Sequence, residues 1–206
     1  MKKVMGVATF IIYASAFSQT SVKLFTGLNY LARLEQDFDY NYMEKRFAFS
    51  MIAGICSPYQ LTNWINLTPS FSYNYYFYRS LDVSIDPETR LVSSSGKGSN
   101  VLRTTGVVQL IDQAEPNSKP YLELGGGYII EYMGSIHGTW VTLGHVDSTV
   151  VYKGFTNKYF VYSIGIGDII YISNDLNLDV SAKYFSDTND RFYYLFGINA
   201  TYNIFN

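Results

Sequence analysis

The chain has 206 residues, 17 acidic against 15 basic side chains, one cysteine and 20 tyrosines within a 17% aromatic content. This near-neutral balance, with no basic patch or arginine run, argues against a nucleic-acid partner. Cys56, lying mid-chain and alone, excludes an intramolecular disulfide.

Residues 1–18 read as a signal peptide: Lys2 and Lys3, an apolar run from Val4 to about Tyr13, then small residues up to Ser18. That run is shorter than the roughly 20 residues of a spanning helix. Without Lys2 and Lys3, 13 of the 15 basic residues remain against 17 acidic ones, a formal charge of −4. The rest, 19–206, reads as one domain.

That domain alternates. Side chains of a strand point to opposite faces in turn, so a period of two marks a strand with one greasy and one wet face. "SVKLFTGLNYL" (21–31) aligns Val22, Leu24, Leu28 and Tyr30, and "RFAFSMIAGIC" (46–56) aligns Phe47, Phe49, Met51, Ala53 and Ile55. "NLTPSFSYNYYFY" (66–78) puts Leu67, Phe71, Tyr73, Tyr75 and Phe77 together, opposite Ser70, Ser72 and Asn74. "NVLRTTGVVQLID" (100–112), "KPYLELGGGYIIEYM" (119–133) and "KYFVYSIGIGDIIYI" (158–172) continue the pattern, as do "LNLDVSAKYF" (176–185) and "RFYYLFGINATYNIF" (191–205). These are eight predicted strands. Connections after the second, fourth and sixth are short, and those after the first, third and fifth are longer. That is the plan of a bacterial outer-membrane barrel with short periplasmic turns and longer extracellular loops. The predicted fold is all-β: an eight-stranded antiparallel up-and-down transmembrane β-barrel, located in the bacterial outer membrane.

A soluble lipocalin-like barrel has the same strand count but keeps its apolar face inside, around a lipophilic ligand. The aromatic residues separate the two. Phe47, Tyr73, Phe77, Tyr132, Phe160, Tyr184, Tyr194 and Tyr202 crowd the greasy face near strand ends, as in a girdle flanking a lipid band. A lumen this narrow would struggle to hold so many rings. The wet face then lines the lumen and carries a cluster of charges: Lys23, Arg103, Glu123, Glu131, Asp179 and Lys183. Charges buried there require partners. Arg103 and Glu131, both toward the extracellular end, form the first expected pair. Lys23, Glu123 and Asp179 lie toward the periplasmic end, with Lys183 farther up. A lumen so filled predicts a plugged barrel and not an open porin.

No motif specifies a catalytic residue, cofactor site or metal site. "GGG" (125–127), "GIG" (165–167) and "GKG" (96–98) lack the spacing and following helix of phosphate-binding loops. In strands, such glycines allow bending and leave room for bulky neighbours. Asp168 falls on the greasy phase and predicts either a bulge or a place at the periplasmic rim. His137, His145, Asp147, Ser148 and Glu131 gather around the 133–157 loop, where a rim enzyme would place a base and nucleophile, although such residues are ordinary in loops.

The stretches "KPYLELGGGYII", "SIGIGDIIYISNDLNLDVSAKYF" and "GINATYNIF" give the chain a resemblance to the small outer-membrane β-barrel domain family, of the kind seen in the transmembrane part of outer-membrane protein A. The resemblance spans the whole mature chain and rests on compositional pattern. It implies a non-enzymatic monomer with structural, adhesive or surface-recognition roles in its loops. Its partners would be outer-membrane lipid, the barrel-assembly machinery and an unidentified loop ligand. One feature departs: the outward phase of the last strand ends on Ile204, not on an aromatic. This predicts a weaker assembly signal or a bulge that corrects the phase.

Overall fold

The structure, a computed structural model, describes residues 22–36, 43–77, 82–84, 89–96, 98–142, 145–188 and 192–205. The predicted signal peptide, 1–18, lies outside the described residues.

Eight long strands close on themselves. They are β1 (Val22–Gln36), β2 (Met43–Cys56), β3 (Ile65–Tyr76), β4 (Ser99–Ile111), β5 (Ser118–Met133), β6 (Phe155–Tyr171), β7 (Leu176–Asp187) and β8 (Phe192–Phe205). Each pairs antiparallel with its chain neighbours, and β1 pairs with β8 to complete the ring. Closure leaves no barrel edge, which a lipid environment demands because it offers no water to unpaired backbone groups. The strands run from 12 to 17 residues, longer than the 9–11 a tilted membrane strand requires.

The greasy phase faces out on every strand. Leu28, Phe49, Met51, Leu124, Phe160, Ile166 and Ile198 are more than half exposed, whereas the intervening Asn29, Ser50, Glu123 and Ser181 are buried. Seen from water, such a surface would be a very large apolar patch. As a lipid-facing wall it is the expected arrangement, and it rules out the soluble alternative with its greasy lining. The aromatic belt is uneven. At the long-loop end Tyr30 packs on Phe49 (4.8 Å between ring centres), Tyr128 on Phe160 (5.0 Å) and Tyr184 on Tyr194 (5.3 Å). The short-turn end carries fewer rings, among them exposed Tyr202 and Trp64.

Three local features differ from or resolve the sequence reading. The β1–β8 register shifts between Val22, opposite Phe205, and Lys23, opposite Asn203, so Ile204 is passed over. Of the two expectations for this end, the bulge is present. The β2–β3 connection is not a plain turn: Tyr59–Thr62 pairs back on β3, closed by the Thr62 hydroxyl, which accepts from the backbone N–H groups of Trp64 and Ile65 at 3.2 and 3.1 Å. The two longest connections are also built of strand. Residues Asp82–Ser84, Thr89–Gly96, Ile136–Thr142 and His145–Tyr152 form a second, four-stranded sheet. It carries on the barrel's own ladders, since Gly96 opposite Ile136 keeps the register of Asn100 opposite Tyr132, and Tyr152 opposite Ile136 keeps that of Phe155 opposite Met133.

Candidate functional site

Two regions concentrate chemistry: the lumen and the sheet beyond the barrel. In the lumen, β6 organises the lower, short-turn half. Gly165 stands opposite Glu123 on β5 and Lys183 on β7, and all three point inward. A Cβ at 165 would meet the γ-carbons of both neighbours at 3.0–3.2 Å. Without one, the two side chains meet across the strand, with Lys183 Nζ 2.7 Å from Glu123 Oε1. Gln109 Nε2 donates to the other carboxylate oxygen at 3.4 Å. Two residues on, Gly167 makes room for the Tyr121 ring, which a Cβ would strike at 2.5 Å. The Tyr121 hydroxyl then donates to Asp179 at 2.8 Å. The inward glycines are thus spaces that let charged and aromatic side chains reach one another.

The upper, long-loop half is different. Leu31, Tyr76, Val101, Ile129, Tyr159, Val161, Phe185, Tyr193 and Leu195 form one buried cluster inside the barrel. Phe185 and Tyr193 stack at 4.9 Å with planes 9° apart. Arg103 lies beneath this plug, its carbon Cζ 5.9 Å from the Tyr76 ring centre and 5.7 Å from that of Phe185. Its guanidinium donates to the Tyr76 hydroxyl. Arg103, Phe185 and Leu195 roof a polar cavity of about 140 Å³, whose walls include Ser72, Gln109, Glu123, Asp179 and Lys183.

The six charges predicted for the lumen are therefore distributed as follows. Glu123 and Lys183 are joined. Asp179 is held by Tyr121, and Glu131 accepts from the Tyr159 hydroxyl at 3.3 Å. Lys23 stands opposite Cys56 near the short-turn mouth. The expected Arg103–Glu131 pair is not formed. Arg103 turns instead to Tyr76, because apolar and aromatic side chains fill the space between strands at that height and a ring face accepts a guanidinium. Tyr76, Tyr121 and Tyr159 are the partners sequence reasoning missed. All three lie on the wet phase, where an aromatic residue signals a lumen filled by side chains.

The histidines predicted near the rim are not gathered. His137 stands opposite Val151, and His145 opposite Thr142 at the other end of the same hairpin. Ser148 faces Trp140 across the ladder, and Glu131 is buried in the lumen. Among the described residues, no three His, Cys, Asp or Glu side chains group as a metal site. Among the described residues, His145–Tyr152 is an outer strand of the second sheet, paired on one side with Ile136–Thr142. Val146 (70% exposed) and Val151 (52%) stand out from it beside exposed Ser148 and Thr149.

No protein-family model matches the chain, and no curated protein matches it. Solved structures do. Neisserial surface protein A is similar over 89% of this chain and 97% of its own, at 8% identity and a TM-score of 0.54. Ail, the attachment invasion locus protein of Yersinia pestis, matches over the same shares at 15% identity and a TM-score of 0.47. The outer-membrane enzyme PagL matches over 87% and 99% at 16% identity and a TM-score of 0.44. The fold is that of the small bacterial outer-membrane barrels, in which short turns face the periplasm and longer loops the exterior.

Proposed function

We propose that this chain is a non-enzymatic outer-membrane barrel that anchors a recognition sheet above the cell surface. The observation that carries this reading is the extracellular sheet, built on the barrel's own register and ending in the outer strand His145–Tyr152. A strand paired on one side offers a row of backbone donors and acceptors to an extended partner segment, which is the basis of strand addition. Its residues are rich in β-branched types, and beyond the register shift at Asp147 the run Ser148–Tyr152 pairs without interruption and includes neither lysine nor proline, residues that commonly blunt an edge. The similarity to a neisserial surface protein is consistent with this fold-level placement. The barrel functions as a monomer without a cofactor. Its partners are outer-membrane lipid, the barrel-assembly machinery and a surface ligand taken up along the sheet.

The test uses cells that display the full chain. They should fractionate it with outer membranes, show heat-modifiable migration on SDS gels, and adhere to immobilised host-cell layers better than the empty strain. Val146→Lys with Val151→Lys should lower adhesion without changing the heat-modifiable band. Adhesion equal to that of the empty strain would sink the recognition role. In planar bilayers the purified protein should give no large, stable, porin-like conductance, because the Phe185–Tyr193 plug stands across the lumen.

A further inference from the structure

Asp168 stands at the short-turn end of β6, the rim position the sequence allowed: neither ladder of that strand bulges there, and the Ser118 hydroxyl donates to it at 2.7 Å. The charge that lacks a counterpart lies inside the barrel. Arg103 is 7% exposed, and among the described residues no carboxylate forms an ion pair with it. Its guanidinium donates to the Tyr76 hydroxyl and lies against the rings of Tyr76 and Phe185, but its Nε–H has no partner. A buried cation with a spare N–H is costly unless something accepts from it.

What lies beside Arg103 is a patch of donors. Ser72 stands directly opposite it on β3. Ser72 Oγ accepts from Asn74 Nδ2 at 3.4 Å, which leaves its own hydrogen free to donate. On the next inward rung down, Ser70 and Thr105 face each other with their hydroxyl oxygens 2.7 Å apart. One hydrogen closes that contact and the other is left over. All four residues line the cavity of about 140 Å³, whose walls continue down to Thr201 and to Cys56, the last residue of β2, toward the short-turn mouth. Along that path inward cations outnumber inward carboxylates: Lys23, Lys119, Lys183 and Arg103 against Glu123 and Asp179. Both carboxylates are already engaged, by Lys183 and by Tyr121.

We propose that this patch binds a small monovalent anion, such as chloride, which enters from the periplasmic mouth. The anion accepts from Arg103 Nε–H, from the Ser72 hydroxyl and from the spare hydroxyl of the Ser70–Thr105 pair, and gives the buried guanidinium its missing counter-charge. Size and charge select the class. The cavity has room for a few waters at most. A divalent oxyanion would need more donors than the patch offers and would carry its second charge into a space shared with Glu123 and Asp179. A halide needs only N–H and O–H groups, and the apolar roof of Phe185 and Leu195 asks nothing of it.

The site requires the closed lumen and is independent of the recognition role of the outer sheet. The full chain is refolded in detergent micelles, its closure is read from the heat-modifiable band, and chloride binding is followed by chlorine NMR line width. The excess width should saturate with a Kd on the order of 10 mM, as one ionic contact reached by water would give. Bromide should displace chloride, and sulfate should not. Arg103→Gln should weaken binding about tenfold and Ser72→Ala about threefold, with the band shift kept. Lys119→Gln, at the mouth, should change it by less than about twofold, since that charge is screened by water and salt. Broadening that never saturates, sulfate competing as well as bromide, or a larger loss in Lys119→Gln than in Arg103→Gln would each overturn the site. Should Arg103→Gln fail to acquire the band shift, Ser72→Ala decides, and an unchanged affinity there overturns the site as well.

Discussion

At the long-loop end the lumen holds Tyr76, Ile129, Tyr159, Phe185 and Tyr193 packed against one another, much as in the core of a soluble domain. At the short-turn end the same strands carry Glu123, Lys183, Asp179 and Gln109 around a cavity of about 140 Å³. The wall is continuous and the strands are shared, so the difference lies only in the inward side chains. Each half solves the burial problem in its own way. The upper one fills its space with packed apolar and aromatic side chains, among which buried Glu131 accepts from the Tyr159 hydroxyl and Arg103, at the lower face, is met by aromatic rings and a hydroxyl. The lower one keeps its charges and supplies each with a partner or with space for solvent. A cavity of this size holds a few waters, which a polar lining can bind.

The largest expected effect comes from attacking the upper half. Phe185→Ala should cost about 3–5 kcal/mol, because it removes buried ring area and leaves a void over the cavity. Urea unfolding in lipid vesicles measures it. Combining Phe185→Ala with Tyr193→Ala should also admit small ions in bilayer recordings. Silence in the double variant would mean that the plug is not what closes the lumen.

Next in size is the lower half. Glu123→Ala strands the Lys183 ammonium and should cost about 2 kcal/mol. This is less than for a fully buried pair, since the Lys183 side chain is 22% exposed. Glu123→Met with Lys183→Met should return stability to within about 1 kcal/mol of the parent, because a well-packed apolar pair can replace a buried ionic one. A double variant as unstable as the single one would show that the pair acts through more than its mutual charge.

The smallest effects sharpen the role of β6. Gly167→Ala drives a methyl into the Tyr121 ring and should cost about 1–3 kcal/mol. Gly106→Ala, on the outer face with nothing within 4 Å of the added carbon, should stay within about 0.5 kcal/mol of neutral. Equal effects would mean that glycine acts through backbone freedom and not through the space it leaves.

The sequence made the wall readable for a physical reason. A lipid face tolerates no polar interruption at mid-strand, so alternation in stretches such as "NLTPSFSYNYYFY" is strict and its phase unambiguous. The recognition sheet was not legible because its strands show no alternation of apolar and polar residues. "HVDSTVVY" and "RLVSSSG" carry no contrast between phases, and the strands are set by pairing along ladders already begun in the barrel. The upper plug did leave a signal. At the long-loop ends of β5, β6 and β8, "GYII", "YFVY" and "FYYLF" are apolar in both phases at once, and that loss of alternation marks a strand buried on two sides. Arg103 could not be paired from its position alone. The choice between Glu131 and Tyr76 depends on which side chains fill the space across the barrel, and strand order does not give that.

The pairing of β1 with β8 sets the order of assembly. Every other barrel ladder joins strands adjacent in the chain, so each can zip from a local hairpin. The last joins Lys23 to Asn203, from opposite ends of the domain, and its closure entropy is the largest of all. Contacts so distant in sequence form late and slowly. Until they do, the chain is an open sheet with two raw edges. One of those edges, β8, carries the irregularity at Ile204 in the stretch that must find its partner first if closure starts from the periplasmic side. Shifting that bulge should therefore slow the appearance of the heat-modifiable form while leaving the stability of the finished barrel little changed.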